Sequence, residues 1–107
     1  MVKIALVTCP PEDANRLARA LVSEKVAACV NLMPKVSSVY RWDGDIQEDA
    51  ESLLIIKTST DRIQALRAAV SRLHTYDTPE FLVVDTDSAQ SSPDYISWVI
   101  ENTRITT

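Results

Sequence analysis

The chain has 107 residues, 46 % of them hydrophobic and 24 % charged, with a formal net charge of −4 and a single glycine. Average usage of about 7 % would give roughly seven or eight glycines, so glycine-rich phosphate cradles are excluded and no nucleotide cofactor is expected. The 15 Asp+Glu outweigh 11 Lys+Arg, and no Lys or Arg falls between Arg72 and Arg104, which argues against nucleic acid and acidic membrane surfaces as partners.

Residues 2–8 are short, apolar and β-branched, and predict a buried strand. Pro10-Pro11-Glu12-Asp13 opens a helix, because proline at the first helical position and acids in the first turn are start signals. Ala14, Leu17, Ala18, Leu21 and Val22 give that helix its apolar stripe. Residues 29–41 read as a long strand in which Val30, Leu32, Val36 and Tyr40 share one parity and Trp42 extends it. Pro34 marks a bulge or an edge position within it. Asp43-Gly44-Asp45 carries a D-G turn, and Ala50 to Thr58 is the return strand, apolar on both parities at Leu53-Leu54-Ile55-Ile56 and therefore central.

Ser59 or Thr60 is expected to cap a second helix, with Ile63, Leu66, Val70 and Leu73 inward. Glu80 to Asp85 forms a fourth strand, and Ser92-Pro93-Asp94 caps a last helix that buries Ile96, Val99 and Ile100. Residues 1–107 thus predict one α+β domain: a ferredoxin-like β-α-β-β-α-β antiparallel sheet with an extended hairpin between the second and third strands, plus a C-terminal helix. The hairpin arms exceed the usual strand of about 5–6 residues, so the hairpin must project beyond its shorter neighbours. Its unpaired edges call for another chain, which also covers apolar area that a small domain leaves exposed.

Two cysteines are too few for a disulfide framework. The apolar run at the N-terminus is too short for a signal-peptide core or a membrane span, and a reducing cytoplasm is the expected location.

Few residues carry obvious chemistry. His74 is the only histidine and lies in His74-Thr75-Tyr76-Asp77-Thr78-Pro79-Glu80. It reads either as a metal ligand or acid/base partner, or as a helix C-terminal residue of a solvated loop. Cys9 lies in the first strand–helix loop, and Cys29 starts a strand where a thiol is commonly a small buried hydrophobe. The two thiols reach one site only if the fold or a neighbouring subunit brings them together.

Tyr40, Trp42, Tyr95 and Trp98 form either an aromatic wall or ordinary packing. Lys57 snorkels or pairs with an acid such as Glu80. The acidic stretch Asp43, Asp45, Glu48, Asp49 and Glu51 collects divalent cations weakly or is a solvated turn. One histidine, one candidate thiol nucleophile and no oxyanion nest give no catalytic triad, so an enzyme is not expected.

Three stretches carry a family resemblance: Glu24-Lys25-Val26-Ala27-Ala28-Cys29-Val30-Asn31-Leu32, Ser38-Val39-Tyr40-Arg41-Trp42-Asp43-Gly44 with Glu51 and Ile56-Lys57-Thr58, and Tyr76-Asp77-Thr78-Pro79-Glu80. With Asp94-Tyr95-Ile96-Ser97-Trp98 they resemble the CutA family of divalent-cation-tolerance proteins. The resemblance implies a ferredoxin-like subunit in a homotrimer, with hairpins packed between subunits as in PII-type signalling proteins. It also implies a link to copper and other divalent metal ions, without catalytic activity. On this reading His74, Cys9 and Cys29 are the candidate metal ligands. Tyr40, Trp42, Lys57, Tyr76 and Glu80 line a candidate inter-subunit cleft, whose alternative role is small-molecule sensing. A trimeric scaffold for partners is the third reading.

Overall fold

The structure, a computed structural model, describes residues 1–105. Strand β1 (Val2–Cys9) leads through a 3-10 turn at Pro11–Asp13 into helix α1 (Ala14–Ser23). Strands β2 (Cys29–Trp42) and β3 (Asp45–Ser59) form the long hairpin, and a second 3-10 turn at Thr60–Arg62 leads into helix α2 (Ile63–Leu73). Strand β4 (Leu82–Asp85) and helix α3 (Pro93–Asn102) complete the chain. The sheet order is β2-β3-β1-β4, antiparallel throughout, which is the ferredoxin-like arrangement expected from the element order.

The core lies between the sheet and the two helices. Ala5, Val7 and Cys9 of β1 and Leu54 and Ile56 of β3 pack with Leu17 and Leu21 of α1 and Leu66 and Val70 of α2. Val22, expected in the α1 stripe, is instead exposed, because Leu21 already closes that turn against the core. Val2 and Ala28 form a second cluster with Ile96 and Val99 of α3.

Two helix starts differ from expectation. Each opens with a 3-10 turn, and Ser59 makes no side-chain cap bond. Its hydroxyl shares a buried 2.7 Å hydrogen bond with that of Thr103, which fastens α3 to the sheet instead. Ser92 caps α3 as expected, accepting from the Tyr95 amide.

The return strand begins at Asp45 rather than Ala50, since residues 45–51 pair with 36–42 across the hairpin. The register shifts between Met33 and Val36, so the bulge is at Pro34 on an edge strand. It also changes which side chains share a face. Val30 and Leu32 lie opposite Ile56 and Leu54, whereas Val36 lies opposite Glu51 and Tyr40 opposite Gln47. The single-parity face expected for these four residues is therefore split at the bulge.

Strand β1 ends at Cys9, opposite Ser52. Beyond that point the hairpin is two-stranded and projects, leaving Val39, Trp42 and Ile46 exposed. Its tip turns through Asp43 (φ +52°) and Gly44 (φ +82°), two positive-φ residues as a type I′ hairpin turn requires. At the opposite edge of the sheet, all four residues of β4 are exposed, including Leu82, Val83 and Val84.

Candidate functional site

The end of α2 faces the root of the projecting hairpin. His74 leaves the helix in an extended conformation (φ −79°, ψ 149°), while its amide still donates to the Val70 carbonyl at 2.8 Å. Its ring is buried and fully engaged. Nδ1 accepts from the Tyr76 amide at 3.0 Å, so the proton sits on Nε2, which donates to the Thr8 carbonyl at 2.7 Å. The His74 and Tyr76 rings lie 4.7 Å apart. His74 thus braces the loop against the end of β1 and aims Tyr76 at the hairpin.

Tyr76 donates its hydroxyl to Glu51 Oε2 at 3.0 Å. Glu51 is only 7 % exposed, although it ends an acidic run that reads as a solvated turn. Tyr40 donates to the neighbouring Asp49 carboxylate. Burial and the bond to Glu51 push the Tyr76 phenol up to about 12. The bond to Asp49, and then desolvation, raises Tyr40. Burial, and then the charge of Glu51, raises the Glu80 carboxyl. The carboxylates of Asp49, Glu51 and Glu80 therefore share one region with two phenols, and none makes an ion pair among the described residues.

Of the cleft residues expected from sequence, the fold gathers Tyr40, Tyr76 and Glu80. Trp42 sits next to the hairpin tip, 58 % exposed. Lys57 lies six residues along β3 from Glu51, opposite Ile4 and Cys29, and is thus about 20 Å away. It pairs with neither Glu80 nor any other acid among the described residues. Glu51 and Asp49, which the sequence offered only as part of an acidic stretch for weak cation binding or a solvated turn, are members that it did not assign to the cleft. The available signal was that Glu51 adjoins the apolar run Leu53–Ile56.

The three candidate metal ligands do not meet within one chain. Cys9 is fully buried, and its thiol is pushed up to about 11, chiefly by desolvation and next by Asp13 and Glu51. Cys29 is half-buried beside Tyr95, whose phenol is raised by burial and then by Cys29. Cys9 pairs with Ser52 and Cys29 with Lys57, which puts the two cysteines about 19 Å apart across the sheet. Both nitrogens of His74 are occupied. Among the described residues, no group of three or more His, Cys, Asp or Glu side chains is placed to hold a metal ion. The donors of a single chain do not fit a closed metal centre.

A family profile described as "CutA1 divalent ion tolerance protein" matches residues 3–102. The chain belongs to the CutA1 family. It is 42 % identical over 104 residues to the divalent-cation tolerance protein CutA of Thermus thermophilus, covering 96 % of this chain and 99 % of that one. It is also 42 % identical to the CutA protein of Mus musculus, covering 92 % of this chain but only 55 % of that longer protein.

Among solved structures, the PII-like protein CutA from Nostoc superposes with a TM-score of 0.93 at 42 % identity, covering 97 % of this chain and 99 % of that one. CutA1 from Oryza sativa gives a TM-score of 0.92 at 40 % identity, with 98 % and 95 % covered. The CutA fold is thus common to bacterial and plant proteins.

Proposed function

We propose that this CutA-family chain works as a homotrimer that acts by binding rather than catalysis, responding weakly to divalent cations where its subunits meet. The observation that carries the assembly is β4. It presents Leu82, Val83 and Val84 uncovered on an open sheet edge, while the hairpin presents Val39, Trp42 and Ile46 beyond the other. Pairing these surfaces between copies covers both. The uncompensated carboxylates of Glu51, Asp49 and Glu80 lie at the hairpin root, next to that junction, and offer oxygen ligands of the kind hard cations take.

Too few donors converge within one chain, so a neighbour completes the cation site. Copper would draw on His74, Cys9 and Cys29 only if His74 gave up Thr8 or Tyr76 and a second chain approached the thiols. The alternative is a sensing role for the same cleft, with an anion or a metabolite in place of the metal, in keeping with the PII-like description of the Nostoc relative. A cytoplasmic location belongs to this proposal. Both cysteines are free, and no helix among the described residues is long and apolar enough to cross a membrane.

Solution mass and calorimetric titration with Cu²⁺ and Zn²⁺ test the reading. A three-chain mass is expected, with weak cation binding that Glu51→Gln weakens further. A single-chain mass removes the assembly. Cation binding unaffected by Glu51→Gln removes the acidic cleft from it.

A further inference from the structure

A groove of about 470 Å³ lies between α2 and the segment leading into β4. We propose that it binds a zwitterionic small molecule of the amino-acid type, with carboxylate on Arg67, ammonium on Asp77 and an apolar body against Phe81 and Val83. The groove exists because two helices do not cover four strands. Val83 lies opposite Ala5, which is fully buried beneath the helices, yet Val83 itself is 42 % exposed. The helix-side face of β4 is therefore left open next to α2.

One wall follows from helical periodicity. Ile63, Arg67 and Val70 recur at helical spacing and fall on one face of α2. Asp77 and Phe81 come from the irregular segment before β4, and Val83 from β4 itself. The result is a groove of mixed lining, in which Gln64, Ser71 and Thr78 sit among the apolar side chains with one cation and one anion, at a volume in the range of about 300–1,000 Å³ typical of small-molecule sites.

The charges define the ligand. Arg67 and Asp77 both line the groove and, like Arg19, Arg41 and Arg62, make no ion pair among the described residues. A purely anionic ligand would meet Asp77 and a chain of net charge −4. A purely cationic one would meet Arg67. A zwitterion satisfies both, and its side chain replaces water on Phe81 and Val83. Arg67, Asp77 and Phe81 belong to one chain and lie outside β4, whereas Val83 is also a residue of the proposed junction, so its part in the groove rests on that assembly leaving its helix-side face open.

Calorimetry on the full chain in its native assembly, titrated with L-leucine and L-phenylalanine, tests this. Saturable binding of at least one of them at one molecule per chain is expected. Arg67→Ala and Asp77→Asn should each weaken it at least fivefold, and leucinamide, which lacks the carboxylate, should bind at least fivefold more weakly than leucine. Both substituted residues are exposed, so the variants keep the fold. Absence of saturable binding with both amino acids, or a loss smaller than fivefold in either variant or with leucinamide, overturns the proposal.

Discussion

The Tyr76 hydroxyl donates to Glu51 Oε2 at 3.0 Å, joining the loop after α2 to the point where the four-stranded sheet narrows into the free hairpin. Cys9, opposite Ser52, is the last residue of β1 to support β3, and Glu51 is the next one along. Tyr76 is in turn held by His74, and His74 by Thr8. A shift of the hairpin therefore acts on the end of β1 and on the end of α2 through one continuous chain of hydrogen bonds.

Removing the donor from that pair should be costly. Tyr76→Phe leaves a carboxylate that is 7 % exposed with one donor fewer, for a loss of about 1–3 kcal/mol. Glu51→Gln removes the charge, so in its presence Tyr76→Phe should cost less. Urea unfolding of both single variants and the double variant gives the coupling directly, with about 0.5–3 kcal/mol expected. Fully additive losses would show that the bond contributes nothing.

Two acids should give opposite pH dependence. The Glu80 carboxyl is raised above its ordinary 4.5 by burial and by Glu51, so the folded chain binds its proton more tightly than the unfolded chain. Stability then falls as pH rises from 4.5 through the folded value, and Glu80→Gln should flatten that fall. Asp85 is lowered below 3.8 by its hydrogen bond and charge interaction with Lys3. Its contribution is present above 3.8 and is lost as pH drops through the folded value, and Asp85→Asn should remove that loss. Melting temperatures from pH 2 to 8 read both slopes. The same slope in wild type and variant refutes the corresponding assignment.

The thiols should differ in reactivity. With the Cys9 thiol pushed up to about 11, about one molecule in a thousand carries the thiolate at pH 8, and the side chain is fully buried as well. Cys29 is only half-buried. Iodoacetamide should therefore label Cys29 first in the native protein and both cysteines alike in denaturant, as read by peptide mass. Native labelling of Cys9 first contradicts the burial seen here.

Two of the three positive-φ positions among the described residues make a complementary pair. A Cβ on Gly44 would meet nothing within 4 Å, so Gly44→Ala tests backbone preference alone at φ +82°, with a cost of about 1 kcal/mol. Lys25 takes φ +60° just past α1, where helices commonly use glycine. Lys25→Gly should relieve that strain and stabilise by up to about 1 kcal/mol, because among the described residues the only hydrogen bond reaching Lys25 from a side chain uses its carbonyl. Chemical denaturation of the two variants should move the midpoint in opposite directions.

Periodicity carried most of the fold. The apolar stripes at Leu17 and Leu21 and at Leu66 and Val70, and the double-sided run Leu53–Ile56, are local patterns that the core then uses. Pro34 announced the bulge because it lacks a donor, but nothing local reveals that a bulge puts Tyr40 opposite Gln47 and on the side of Glu51. Acidic residues 45–49 read as a turn by composition, yet pairing with β2 makes them strand. Ser59 has the right side chain for a cap, but Thr103, 44 residues away, offered a buried partner. The candidate site was legible only in part, at Tyr40, Tyr76 and Glu80. Burial of Glu51 depends on a loop that reaches it 25 residues later, and only that contact centres the site six residues along β3 from Lys57.

Assembly is most directly tested at Leu82. This side chain is 59 % exposed, lies at the start of an edge strand and takes no part in the subunit core, so replacing it costs the isolated subunit little. If a neighbour covers it, burial contributes about 1.5–3 kcal/mol per interface, and a glutamate there must instead be desolvated without a partner. The same substitution occurs at every interface of a closed ring, so the losses multiply. Leu82→Glu should therefore lower the solution mass from three chains to one at micromolar concentration. It should also make the melting temperature lower and independent of concentration, and leave the far-ultraviolet dichroism unchanged. Gln90→Glu, an equal charge change on an exposed turn away from either edge, should leave the mass at three chains. A Leu82→Glu protein that stays at three chains would show that β4 is not where the subunits join.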